Sequence, residues 1–139
     1  MSQSDAVRQA LYQLKDEHRT IMESVRAVLE AAASPEGTDI VPLLESLHGT
    51  LARHFAHEEY PEGLYDRMGA CTADHRDELR ELVDEHFRLL SMLRGMIERA
   101  RLGERERLAD EARAFAEQLR DHETKEHALG ARLAAPGSE

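Results

Sequence analysis

Two histidine–glutamate pairs, His54 with Glu58 and His122 with Glu126, stand four residues apart in a chain of 139 residues that holds eight histidines. On a helix that spacing turns both side chains across one face, which is what two donors need to converge on one ion. A carboxylate buried without a partner is costly or takes up a proton, so two such pairs inside a folded chain call for a cation. A sequence this rich in glutamate produces such a pair by chance, so the weight falls on where the pairs lie.

They lie on apolar seams. Four stretches carry apolar residues at alternating spacings of four and three, the mark of helices that each bury one narrow stripe. The first runs Val7, Leu11, Leu14, His18, Ile21, Val25, Val28, Ala32, capped by Ser2 or Ser4 and closed by Ser34-Pro35-Glu36-Gly37. The second starts near Thr38 or Asp39, tolerates Pro42 in its first turn, and runs Ile40, Leu44, Leu47, Leu51, His54, Glu58. The third follows Thr72 or Asp74 and runs His75, Leu79, Leu82, His86, Leu89, Leu93, Met96, Ala100 to a stop at Gly103. The fourth runs Leu108, Ala112, Phe115, Leu119, His122, Glu126, Leu129, Leu133 and frays into Ala134-Ala135-Pro136-Gly137. Short connections make sequential helices antiparallel neighbours, so the expected fold is all-α, an up-down-up-down four-helix bundle with a metal site in its core. One domain, residues 1–139, is all that this length supports.

Donors to one metal must share a layer of the bundle as well as a face. His18 lies about as far before the turn between the first two helices as His54 and Glu58 lie after it, and His86 and His122 match in the same way across Gly103. The layer closes only if the second helix continues to Met68 and turns through Gly69-Ala70-Cys71. Pro61 opposes this, since it removes a hydrogen bond and disfavours helix at Tyr60. A kink or one-residue break is therefore expected at Tyr60-Pro61, with helix resuming through Leu64, Tyr65 and Met68. The layer then holds His18, His54, Glu58, His86, His122 and Glu126.

Composition sets the surroundings. A formal net charge of -10 would repel a phosphate backbone or an anionic membrane surface, which argues against nucleic-acid and membrane partners. No apolar run is long enough to span a bilayer, and the polar start Met1-Ser2-Gln3-Ser4-Asp5 is unlike a secretion signal, so a cytoplasmic location is expected. The single Cys71 excludes an internal disulfide and leaves the fold to its core and whatever is bound there.

In order, the lone histidine on helix one, His54-Phe55-Ala56-His57-Glu58-Glu59, Glu85-His86 on helix three and His122-x-x-x-Glu126 form a set that resembles the hemerythrin-like, or HHE cation-binding, domains over nearly the whole chain. The resemblance implies a non-heme di-iron centre in which Glu58 and Glu126 bridge two iron ions and the four histidines cap them. Mixed imidazole and carboxylate donors alone would also accept zinc or manganese. The oxygen-carrying members have a second histidine one turn from that on helix three, where this chain has Leu82 and Leu90. That difference argues against simple reversible oxygen carriage and for an open position taken by O2, peroxide or nitric oxide. The function expected is binding or turnover of such a small ligand, as sensor, scavenger or low-turnover oxidoreductase. The alternatives are an iron storage or iron-sensing protein, or a helical interaction module with a structural metal.

The remaining chemistry-bearing residues read as structure. His75 shares the seam but sits ~16 Å along the axis from His86, which makes it a helix-end histidine. His48, His57 and His127 lie off the seam, the last two beside expected ligands. Tyr12 and Tyr65 read as core or rim packing, Met22, Met92 and Met96 as gap fillers. Cys71 reads as an unremarkable turn thiol, and the charged run from Glu98 to Arg113 as a solvated helical surface.

Overall fold

Each apolar seam folds as a long helix. The computed structural model describes residues 3–34 and 39–135 and contains α1 (Gln3–Ala33), α2 (Val41–Glu59), the one-turn α3 (Leu64–Arg67), α4 (Arg76–Arg101) and α5 (Leu108–Ala134). A 3-10 turn, Ala73–His75, leads into α4. Helix α1 packs on α2 and α5, and α4 packs on the same two, so the four long helices close a ring as an up-down-up-down bundle. No strand occurs among the described residues.

The seam residues are the buried ones, apart from Leu11, Ala32, His75, Leu79, Ala100 and Leu133, which are half-buried. Ala10, Ala31, Phe55, Ile97 and Ala116 widen the stripes. They form two separate apolar clusters. One joins Ile21 to Ala31 of α1 with Ile40 to Phe55, Leu89 to Ile97 and Leu108 to Leu119. Met96 lies inside it, and Met22 and Met92 pack against it as expected of gap fillers. The other joins Val7, Ala10 and Leu14 with Leu64, Tyr65, Met68, Ala70, Leu82 and Leu129. A buried leucine contributes roughly 1.5–3 kcal/mol and an exposed ion pair about 0–1. The clusters, not surface pairs such as Arg132 with Glu78, therefore hold the bundle.

Helix ends follow local chemistry. Ser2, Pro35 to Thr38, Pro136 and Gly137 lie outside the described residues. Helix α1 already includes Ser4, so that serine is not its cap. Asp39 accepts the Val41 N–H at 3.1 Å, while Ile40 occupies the cap position and Pro42 sits in the first turn. Thr72 caps the 3-10 turn by backbone geometry alone, without a side-chain hydrogen bond. Gly103, at φ 79°, ends α4 as expected. Its N–H donates to the Ala100 carbonyl and that of Glu104 to Arg99, at 3.0 and 2.9 Å. Arg105 in the same connection donates to the Ala31 carbonyl at the end of α1, at 3.2 Å.

The interruption at Pro61 is longer than expected. Tyr60 is driven extended, with ψ 151°, as the residue before a proline should be. Glu62 then takes the left-handed region, φ 64°, and Gly63 donates to the Tyr60 carbonyl at 2.7 Å. Four residues, Tyr60 to Gly63, are thus non-helical instead of one, and a single helical turn follows before Gly69 at φ 81°. The reason is direction: a left-handed residue after the proline swings the chain inward, so α3 covers the end of the second cluster instead of prolonging α2.

Tyr12 is a second correction, being 77% exposed instead of packed. Cys71 is exposed, and partial burial together with the Asp66 charge pushes its thiol up, leaving it a poor nucleophile. The run from Glu98 to Arg113 is largely solvated, except where Leu108 and Ala112 enter the core and Arg99 pairs with Glu111. No helix among the described residues is long and apolar enough to cross a membrane.

Candidate metal centre

Between the two apolar clusters lies one polar layer. Glu58 and Glu126 are fully buried there, with His18, His54, His86 and His122 each at most 5% exposed. The donors form two groups that share the carboxylates. His18, His54, Glu58 and Glu126 offer atoms within 4.8 Å of one another, and so do Glu58, His86, His122 and Glu126. Each of the four long helices contributes, and the two i, i+4 pairs supply both carboxylates.

Every one of the four histidines is held from behind. His54 Nδ1–H donates to Glu17 at 3.3 Å, His86 Nδ1–H to Glu59 at 2.7 Å, and His122 Nδ1–H to Glu85 at 2.8 Å. A carboxylate only accepts, so it fixes the proton on Nδ1 and turns the Nε2 lone pair into the layer. His18 Nδ1 shares a hydrogen bond with His127 Nε2 at 2.9 Å. The pattern is cyclic. Helix α1 supplies the partner for the α2 histidine, α2 for α4, α4 for α5, and α5 for α1, each partner adjacent in sequence to an inner residue. Phe55 stacks on His86 with ring centroids 3.8 Å apart, fixing that ring from its face.

The inner atoms are unsatisfied. His18 Nε2, His54 Nε2, His122 Nε2, Glu58 Oε2 and Glu126 Oε1 are buried and have no hydrogen-bond partner among the described residues. His18 Nε2 does approach Glu126 Oε1 to 3.1 Å, without the geometry of a hydrogen bond. Buried polar atoms of this kind are costly when unpaired, and here all of them face the same layer. Converging lone pairs that outnumber the protons available to them are what a cation satisfies, so these residues fit a metal centre.

Charge balance agrees. Burial pushes the Glu58 carboxyl far up, and the neighbouring Glu126 charge adds to it. Burial acts on Glu126 in the same sense, but its close approach to the Glu58 carboxyl and to the surrounding imidazoles outweighs it and holds that group low. The metal-free pair therefore shares one proton. Burial lowers His18, whereas in His122 the nearby Glu126 carboxylate and the hydrogen bond to Glu85 overcome burial and raise it. Burial also raises Glu123, to about 8, on the flank of the layer, with its Oε2 lacking a hydrogen bond and 3.8 Å from His18 Nδ1.

His75 lies elsewhere, at the start of α4, half-exposed and 3.9 Å from Glu78. His57 is exposed and faces Glu17 at 3.5 Å, while His127 touches the layer only through His18. His48 is half-buried away from the layer. Sequence reasoning did not pick out Glu17, Glu59 or Glu85 as supports, although their adjacency to inner residues was a usable signal. It also missed the hydroxyl of Tyr65. The ring is buried as expected, but its oxygen reaches the layer, 2.5 Å from Glu126 Oε2 and 3.0 Å from His86 Nε2.

Comparison with known families agrees with this geometry. Residues 9–130 match the family described as the hemerythrin HHE cation binding domain. No curated protein and no solved structure matches the chain.

Proposed function

Since the chain belongs to the hemerythrin HHE cation-binding family, we propose that it holds a non-heme di-iron centre and binds or turns over a small ligand, namely O2, peroxide or nitric oxide. The observation that supports this best is the pair of four-donor groups sharing two carboxylates. Six side chains are too many for one ion with an open position and suit two ions, with Glu58 and Glu126 common to both donor groups. His18 and His54 would hold one ion, His86 and His122 the other. When bound, the iron pair supplies open coordination positions and exchangeable electrons for such a ligand. The donor set would admit zinc or manganese, and iron rests on the family.

Glu17, Glu59 and Glu85 orient three imidazoles and make them better donors. Leu14, Leu82 and Leu129 on one side, and Ile21, Leu51, Leu89 and Leu119 on the other, exclude bulk water along the bundle axis. Glu58 must give up its proton for the layer to load, so metal uptake releases a proton and weakens at low pH.

The test is anaerobic purification, metal analysis and optical titration with each of the three ligands. Two irons per fully loaded chain are expected, with a charge-transfer band induced by at least one ligand. A band that persists indicates binding, and one that decays as ligand is consumed indicates turnover. One iron per chain counts against the dinuclear centre. No optical response to any of the three counts against the ligand role and favours the iron-handling or structural alternative.

A further inference from the structure

The polar layer contains one more oxygen than six donors account for. Tyr65 is 1% exposed. Its hydroxyl stands 2.5 Å from Glu126 Oε2, 3.0 Å from His86 Nε2 and 3.5 Å from Glu58 Oε1. Those three residues belong to one of the two four-donor groups.

Hydrogen bonding alone does not satisfy this arrangement. His86 Nδ1 carries its proton, because it faces the Glu59 carboxylate at 2.7 Å. Its Nε2 is therefore a lone pair, aimed at the phenol oxygen. Glu126 Oε2 is an acceptor as well, and the one proton that the carboxyl pair shares could sit on Glu58 Oε1. Even with the phenol donating to Glu126 Oε2 and accepting the carboxyl proton from Glu58 Oε1, the His86 Nε2 lone pair still faces a lone pair of the phenol oxygen at 3.0 Å. A cation that displaces the carboxyl proton would satisfy all four atoms, with the phenol oxygen among its donors.

Packing makes the placement definite. Tyr65 stands in the second apolar cluster between Leu64 and Met68, and its ring lies parallel to that of His86 at 5.9 Å. The backbone interruption from Tyr60 to Gly63 turns α3 inward and carries the hydroxyl to the layer. Helix α4 offers no further donor one turn from His86, where Leu82 is buried and Leu90 half-buried.

We propose that Tyr65 is a seventh protein donor, serving the metal ion held by Glu58, His86, His122 and Glu126; the assignment rests on the metal-centre reading above. On loading, Tyr65 loses its O–H proton to the buffer and donates the phenolate oxygen, with no change of oxidation state. The two metal positions are then unequal. The His86/His122 position has five protein donors, and the His18/His54 position has four and the greater room for an incoming ligand.

Ferric protein, loaded as the full chain, tests this by visible absorption and resonance Raman. Phenolate bound to ferric iron gives a visible charge-transfer band whose excitation enhances tyrosine ring modes, which neither histidine nor carboxylate produces. Wild-type protein should show both. Y65F should lose both while keeping its iron, whereas Y12F and Y60F, altered at exposed rings, should retain both. Ring-deuterated tyrosine should shift the modes in wild-type protein, so the result stands even where Y65F folds poorly. Iron-loaded wild-type protein without tyrosine modes, or modes that survive in Y65F, would overturn the proposal. Iron analysis on the same samples keeps the two readings apart. Modes with one iron per chain refute the dinuclear centre and support Tyr65, two irons without modes refute Tyr65 alone, and a chain that takes up no iron refutes both.

Discussion

His86 and His75 share one helical line, yet only His86 stands level with His54 and His122. H86A should therefore lower iron per chain and abolish the ligand-induced optical change. H75A should keep its iron and lose at most ~1 kcal/mol of stability. Metal analysis of both variants decides the point, and iron loss confined to H75A would refute the layer. Glu123 gives a pH-dependent outcome. Its folded pKa of about 8 lies above the ordinary 4.5, because burial and then the Glu126 charge oppose ionisation. Its stabilising contribution is full below 4.5 and disappears as pH rises through about 8. Urea midpoints of the metal-free chain should fall over that interval, and E123Q should flatten the fall. An equally steep fall in E123Q would assign it to other groups. The six inner residues were legible because helical spacing and axial level depend only on residue count. Glu17, Glu59 and Glu85 were less so, since they project across helix boundaries where no apolar period marks them. Tyr65 was not legible as a donor, because its place depends on the chain path through a non-helical segment.

That segment decides what the elements can do. Gly63 has an ordinary φ of −75°, so its constraint is space. A Cβ there would fall 2.3 Å from the His57 carbonyl oxygen, 2.7 Å from that of Tyr60 and 3.0 Å from that of Glu58, all backbone atoms that cannot swing aside. G63A should cost about 1–3 kcal/mol by overpacking and pull Tyr65 off the layer. Urea denaturation and the tyrosine charge-transfer band measure the two effects, and a variant as stable as wild type with an unchanged band would contradict this view of the turn. The four long helices could be read from the sequence because each has a complete apolar period and a turn beyond it. The length of the interruption could not. Proline marks where helix α2 must stop, but the reversal is made by Glu62, a residue with no preference that announces a left-handed backbone.

Across the whole molecule, the polar layer separates two apolar clusters that do not merge. Without metal it keeps two buried carboxyl groups, one shared proton and several unsatisfied atoms. Metal that binds only the folded chain stabilises it by mass action. A chelator should lower the melting temperature and iron should restore it, as followed by circular dichroism; identical melting with and without metal would argue against a buried centre. The bundle architecture was readable because short connections permit little else for four amphipathic helices. The division of its core was foreshadowed only by the histidines and glutamates interrupting each seam. That division bears on cooperativity. Helices α1, α4 and α5 run through both ends, while α2 stops at the layer and α3 takes its place beyond it, so the side chains that would transmit packing from one end to the other are, at mid-height, the proposed metal donors. Metal held there would join the two ends into one folding unit, and its removal should leave two partly independent ends linked by three shared helices. Metal occupancy is thereby linked to whether local opening at the α3 end stays local or spreads to the whole bundle.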